Sequence, residues 1–373
     1  MILSSLELKN FRNYVHERIE FNTEQNIISG RNAQGKTNLL EAIYLLCITR
    51  SFRTRIEKEL CNFESDECTL KGEFVLGNGN KRTIIFYYQK KDGKQFSVNK
   101  KKVEKFSSHI GQFPVVISSP EAYNLTTGPP AERRKFIDIM LSQINIQYMY
   151  QLQEYYRILK QRNSILGNRR YSSNQITKLL EPWNLGLVEK GSQIILERMS
   201  FVEEFKNILR NIYSQISTTE EELNFTYGSK IQGKTLEEIK NRYDALLESS
   251  KRAEMEQGTT TIGPHRDDLV FEVNENNLRK FGSRGQHKTV LISLMISEFE
   301  LIKNKLNETP VILVDDLYSE IDPKREERIM EFLLQLGQLF ITTTNEISSL
   351  KDKRINRTAK YFQIESGKIR YVK

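Results

Sequence analysis

The sequence predicts an α/β protein whose sheet is interrupted by a helical insertion and joined by an antiparallel β subdomain. Three observations predict it. A glycine-rich loop at 30–37 lies between a strand-like run and an apolar helical pattern. A second apolar run, 311–316, ends in two acids. Between them, after Pro129 and Pro130, hydrophobic residues recur every three or four positions rather than every two.

Taken in order, 2–9 (ILSSLELK) and 25–29 (QNIIS) read as strands, and 36–48 as a helix with Leu39, Leu40, Ile43 and Leu46 on one face. Residues 69–98 hold three strand-like runs separated by GNGN and KKDGK, which are hairpin signals, so they predict an antiparallel meander packed against the first sheet. AERRKFIDIMLSQIN starts a helix behind its prolines. Ile195, Met199, Val202, Phe205, Leu209, Ile212 and Ile216 form one buried helical stripe, and 235–257 makes a further helix. Residues 167–174 are a loop between helices. Strand signals return at 269–273, 311–315 and 339–344, with helices at 288–302 and 324–336 and a closing hairpin.

A chain of 373 residues, 38% hydrophobic and 28% charged, can bury a core and remain in solution. It has no bilayer-length apolar run and no signal-peptide layout at its start, which points to the cytoplasm and away from a membrane. Cys47, Cys61 and Cys68 lack metal-ligand spacing, and the four histidines are scattered. The net charge of +8 favours an anionic partner such as nucleic acid without establishing one.

The chemistry sits in three segments. GRNAQGKT, 30–37, has the G-x-x-x-x-G-K-[ST] spacing, strand before and helix after. Its glycines let backbone N–H groups curl round a phosphate, Lys36 can reach the β- and γ-phosphates, and Thr37 can ligate Mg²⁺. Asp315 ends a buried strand, where it can hold Mg²⁺; Asp316 can orient an attacking water. FGSRGQHKT, 281–289, offers a second phosphate loop: 282–285 reads as loop and the helix follows. Its plainer reading is a helix N-cap at Ser283.

Their order resembles the ATP-binding-cassette ATPases of the SMC kind. LELKNFRNY (6–14), the phosphate loop through 46, RSFRT (50–54), SSPE (118–121), GPPAERRKFID (128–138), GPHRDDL (263–269), SRGQHKT (283–289) and VDDLYSEID (314–322) are more closely similar to the RecF family, bacterial recombination-mediator ATPases acting at gapped DNA. The resemblance implies an ABC-type P-loop ATPase head, split into 1–125 and 258–373, around a helical insertion at 126–257. It places Gly30, Arg31, Asn32, Ala33, Gln34, Gly35, Lys36 and Thr37 around ATP, with Arg12 approaching the nucleotide. It also places Asp315 with Thr37 on Mg²⁺ and Asp316 in the catalytic acid position. Ser283, Gly285 and Gln286 would reach the ATP of a second copy, and 319–322 would meet its twin. RecO and RecR as partners and RecA loading as the outcome are likewise implied by the family alone. The chain departs from the transporter pattern in GSRGQ, in Asp rather than Glu at 316, and in Thr344 and Asn345 where a histidine is usual. Those departures suggest slow hydrolysis used as a switch.

Candidate DNA contacts are Arg50, Arg53 and Arg55; Lys100, Lys101, Lys102 and Lys105; Arg133, Arg134 and Lys135; and Arg169 with Arg170. Each cluster alone is more often a solvated face, and no base-reading motif is visible. The favoured reading is an ATP-dependent homodimeric clamp on duplex DNA near gaps. A nucleotide-binding transporter subunit, a small-molecule kinase and a nucleotide-dependent interaction module stay open. DNA-stimulated hydrolysis separates the first from the clamp, and dependence on Ser283 the second.

Overall fold

The structure is a computed structural model and describes residues 1–217, 220–316, 323–344 and 359–372. It divides into two compact units. The first is Met1–Tyr123 with Ile212–Glu220 and Ser283–Lys373; the second is Asn124–Asn211 with Glu221–Gly282.

The first unit opens with β1 (Ile2–Phe11), β2 (Tyr14–Glu20), β3 (Gln25–Ser29) and α1 (Lys36–Ile48), then β4 (Glu67–Val75), β5 (Lys81–Gln89), β6 (Gly93–Val98), β7 (Lys101–Lys102) and β8 (Val115–Ser118). The expected meander does not pack on a sheet containing the first strand; it incorporates that strand. The order is β2-β1-β4-β5-β6-β7, all antiparallel neighbours. The alternation in β4 and β5, with every second residue buried, suits a sheet with one face in the core.

The second unit holds α2 (Tyr123–Thr127, whose first residue belongs to the first unit), α3 (Pro130–Ile144), α4 (Ile146–Leu166), α5 (Ser173–Ile216, whose last turn clusters with the first unit), β9 (Leu223–Gly228), α6 (Leu236–Gln257), β10 (Asp268–Val273), β11 (Asn276–Asn277) and α7 (Leu278–Phe281). The stripe from Ile195 to Ile216 lies on α5. Residues 258–282, assigned on sequence to the ATPase domain, cluster with this unit. The physical reason is that β10 takes its ladder from β9 and β11 in a separate three-stranded sheet. Two buried arginines tie its helices: Arg198 bonds Asp138 and the Tyr148 hydroxyl, and Arg162 bonds Glu254 and Thr260.

The chain then returns to the first unit with α8 (Arg284–Leu306), β12 (Val311–Val314), α9 (Pro323–Gln335), β13 (Leu339–Thr343), β14 (Lys360–Glu365) and β15 (Lys368–Tyr371). The second large sheet runs β15-β14-β3-β13-β12-β8. Its strands from β14 to β8 are parallel, and β3, β12 and β13 are wholly buried. Helix α1 contacts β1, β4 and β5 of the first sheet and β8 and β13 of the second. This explains why it is apolar nearly all round, Cys47 included.

Candidate functional site

In an open parallel sheet, ligands bind beyond the carboxyl ends of the strands. Here those ends carry Ser29 and Gly30 after β3, Asp315 after β12, Thr343 on β13 and Ser118 on β8. The register sets Thr343 against Ser29 and Val314 against Ser118, which brings the phosphate loop and the acids to one edge.

The loop has the backbone its glycines predict. Gly30 and Gly35 sit at φ 155° and 118°. A Cβ on Gly30 would meet the Ile364 carbonyl at 2.5 Å, and one on Gly35 the Asn13 side chain at 2.8 Å. Lys36 Nζ folds back to donate to the carbonyls of Gly30 (2.6 Å) and Arg31 (2.9 Å). Burial lowers its pKa, opposed by Asp315 and Asp316. Arg31, Asn32 and Ala33 are exposed at the loop tip. Gln34 is pinned, its carbonyl accepting from Asn13 Nδ2 at 2.7 Å and its Oε1 from Ser366 N at 2.6 Å.

Thr37 Oγ1, in the first turn of α1, donates to Asp315 Oδ2 at 2.7 Å. Thr342 donates to the other oxygen of Asp315. Burial pushes the Asp315 carboxyl above its usual range, while the two threonine hydroxyls pull it back. The neighbouring Asp316 is held in the left-handed region at φ 54°, its N–H donating to Thr342 Oγ1 at 3.0 Å.

Arg12 is occupied by protein groups. Its Nε and Nη2 bond both oxygens of Glu41, which is fully buried on α1, and Nη1 donates to the Glu59 carbonyl. These bonds use three of the five guanidinium N–H donors and fix the side chain in place. Ser51 also donates to Glu41.

The second loop differs from its sequence reading in where the helix begins. Arg284 and Gly285 are helical, not loop, because Ser283 closes a capping box: its Oγ accepts from Gln286 N at 3.2 Å and its own N–H donates to Gln286 Oε1 at 2.9 Å. The N-cap role of Ser283 is therefore present within one chain. Ser283 remains exposed at the start of α8. Residues 319–322 and Asn345 lie outside the described residues.

Of the basic clusters, Arg133 is removed from consideration as a DNA contact. It is 3% exposed, holds Asp268 through two bonds of 2.6 and 2.9 Å, and donates to the carbonyls of Leu125 and Gly128. Arg134 donates to the Asp267 carbonyl, and Arg53 lies 3.6 Å from Glu41 and 3.5 Å from Glu121. Lys100, Lys101, Lys102, Lys105, Arg169 and Arg170 are exposed. Sequence reasoning missed Asn13, Tyr14, Glu41 and Thr342. Tyr14, whose hydroxyl donates to the Gly35 carbonyl at 2.8 Å, lies in the segment quoted for the family resemblance, but nothing local assigns it a role.

A phosphate loop, an acid-tipped strand of the same parallel sheet and a Ser-x-Gly-Gln helix start define the nucleotide-binding head of a P-loop ATPase. The family model for the RecF/RecN/SMC N terminal domain matches residues 2–367. The chain is 37% identical over 372 residues to the DNA replication and repair protein RecF of Ligilactobacillus salivarius, covering 99% of this chain and 97% of that one. It is 36% identical to its counterpart in Bacillus mycoides, covering 99% and 98%. The solved structure of the recombination mediator protein RecF with ATP, in the RecFOR pathway, matches with TM-score 0.88 and 31% identity over 100% of this chain and 98% of that one. An Smc head bound to the winged-helix domain of ScpA matches at TM-score 0.58 and 12% identity over 100% and 97%, a likeness of fold alone. The chain belongs to the RecF family.

Proposed function

We propose that this chain is a recombination mediator of DNA repair that works as an ATP-dependent clamp. In this reading the first unit is the ATPase domain and the helical second unit its insertion. The observation that carries the proposal is the 2.7 Å bond between Thr37 and Asp315, which joins the phosphate loop to the acid strand. A hydroxyl and a carboxylate side by side are hard oxygen ligands of the kind Mg²⁺ takes. A buried carboxyl raised by desolvation is what a bound dication would recharge. The residues therefore fit Mg·ATP.

When bound, Mg²⁺ supplies charge neutralisation to the phosphates. Lys36 exchanges its two carbonyl partners for phosphate oxygens, and the loop N–H groups of 31–36 surround them. Thr37 and Asp315 hold the metal, and Asp316 orients water. Ser283, Gly285 and Gln286 complete the site of a second copy, so that ATP closes a homodimer on duplex DNA and weak hydrolysis opens it. At ATP about 100 times its Kd, each site favours closure by up to about 2.7 kcal/mol, and two sites by up to about 5 kcal/mol, enough at that limit to shift a two-state equilibrium nearly completely. RecO and RecR are the proposed partners, gapped DNA the substrate and the cytoplasm the location. Among the described residues no helix is long and apolar enough to cross a membrane. The full-length likeness to RecF proteins favours this reading over a transporter subunit.

Sedimentation of the chain with and without ATP, and with and without duplex DNA, tests the proposal. A dimer that forms only with ATP and binds DNA only in that state is expected. A monomer under every condition, or equal DNA binding without nucleotide, overturns it.

A further inference from the structure

The antiparallel sheet of the first unit carries opposite chemistry at its two ends. At one end the turn leading into β4 reads NFESDE, 62–67. Phe63 at its tip is fully exposed, at 106%, and Glu64, Asp66 and Glu67 are exposed beside it. The turn is held in place. Asn62 donates its N–H to the Asn10 carbonyl at 2.7 Å and its Nδ2 to the Arg12 carbonyl at 2.9 Å, and Ser65 N donates to the Asn62 carbonyl at 3.0 Å. Lys90 lies 3.5 Å from Asp66, one cation against three acids, so the tip stays negative. An aromatic ring fixed in water gains nothing from its own unit, and it is the kind of side chain that anchors an interface by filling a pocket.

At the other end, where β5 begins and β6 finishes, is a cavity of about 490 Å³. Arg82, Lys101 and Lys102 line its charged side, and Glu104 is the one acid among its lining residues. Val98 and Val103, partly buried against the core, give it apolar surface as well. The cavity therefore suits an apolar side chain carried between acids. The register pairs Glu67 with Gln89 and Phe74 with Arg82, so seven steps of β5, about 24 Å, separate the turn from the cavity. A fixed turn at that distance does not reach the cavity of its own copy.

We propose that Phe63 enters this cavity on a second copy of the chain, with Glu64 and Asp66 meeting Arg82, Lys101 and Lys102. Complementarity selects the occupant. A nucleic-acid phosphate answers the cations and leaves Val98 and Val103 unmatched, whereas the tip answers both. Each copy offers one tip and one cavity at opposite ends of its sheet, so two copies can exchange both contacts or a series can run head to tail. One ring and a few charges make a small contact of the weak class, populated only in concentrated solution. Dilute protein is then left to dimerise through ATP alone. The contact uses no residue of the phosphate loop or of α8, and the ATP reading survives its failure.

Sedimentation equilibrium of the nucleotide-free full chain, followed to high concentration, tests the contact. The average mass should rise above that of the monomer, and high salt should suppress the rise. Phe63→Ala should weaken association by about tenfold or more, as loss of an anchor does. So should a tip variant, Glu64→Lys with Asp66→Lys, and a cavity variant, Lys101→Glu with Lys102→Glu. All five positions are exposed, and unchanged melting temperatures check the folds. In a mixture, the basic tip of the first variant meets the acidic cavity of the second, and the unaltered tip of the second meets the unaltered cavity of the first. The mixture should therefore associate more strongly than either variant alone. A wild-type chain that stays monomeric at every concentration, Phe63→Ala that associates like the wild type, or a mixture no stronger than its parts overturns the proposal.

Discussion

Thr37 and Asp315, 278 positions apart, share a 2.7 Å hydrogen bond in which the first turn of α1 meets the end of β12. The bond links the two halves of the proposed nucleotide site. Thr342 completes the arrangement from β13, donating to Asp315 and accepting from Asp316 N.

Asp315→Asn should separate stability from binding. Burial raises the native carboxyl pKa, so the native state holds its proton to higher pH than the unfolded chain. The stability this gives is lost as pH rises through the raised value. The amide removes that penalty, and the variant should melt a few degrees higher at pH 7. It should bind Mg·ATP roughly 10- to 100-fold more weakly, on the scale of lost metal-shell partners. Calorimetry with and without Mg·ATP measures both, and unchanged Mg·ATP affinity would remove Asp315 from the metal site.

Asp316→Asn should fold, because asparagine tolerates the left-handed backbone found there. It should retain ATP while hydrolysis falls by about 10² or more, the usual contribution of a positioned acid or base. Its ATP-dependent complex with DNA should outlast that of the wild type. Dissociation at the wild-type rate would show that Asp316 does not orient water.

Glu298, buried on α8, is pushed up to about 8 by desolvation. The native state keeps its proton while the unfolded chain loses it above about 4.5, so stability should fall as pH rises between those values. Glu298→Gln should flatten that slope and raise stability at pH 8. Parallel melting profiles for the two proteins would contradict the assignment.

Arg133→Ala should act on folding. Arg133 is buried while its partner Asp268 is 32% exposed, so removing the guanidinium and its hydrogen bonds should cost about 1–3 kcal/mol of second-unit stability. DNA affinity per folded molecule should stay within about twofold, as for a residue with no phosphate contact. Loss of affinity without loss of stability would restore Arg133 as a DNA contact.

The parts of the fold legible in the sequence are those with a local cause. The phosphate loop and α1 are set by glycines, a lysine and an apolar run contiguous in the chain. The meander is set by alternation and two hairpin signals. β8 escaped because four residues carry little periodicity, and β2 because it follows β1 after only two intervening residues; β9 also went unread. The membership of β1 and β10 in their sheets is a matter of long-range pairing, which alternation cannot assign. At the site, Lys36, Thr37 and Asp315 were readable from motif spacing. Thr342 and Glu41 were not, since a threonine inside a buried strand and an acid inside an apolar helix acquire meaning only from Asp315 and Arg12 across the fold.

In the proposed clamp Ser283 serves the ATP held by Lys36 of another copy, and mixed dimers distinguish this from action within one chain. Lys36→Ala disables the phosphate loop; Ser283→Arg leaves that loop intact and places a bulky cation at an exposed helix start. Each alone yields dimers in which both sites are half broken. In a mixed dimer one site collects both defects and the other pairs a sound Lys36 with a sound Ser283. Crosslinking of differently tagged copies, with Asp316→Asn added to slow turnover, should show ATP-dependent pairing in the mixture above either variant alone. If the mixture pairs no better than its parts, Ser283 does not act across the interface and the clamp account fails.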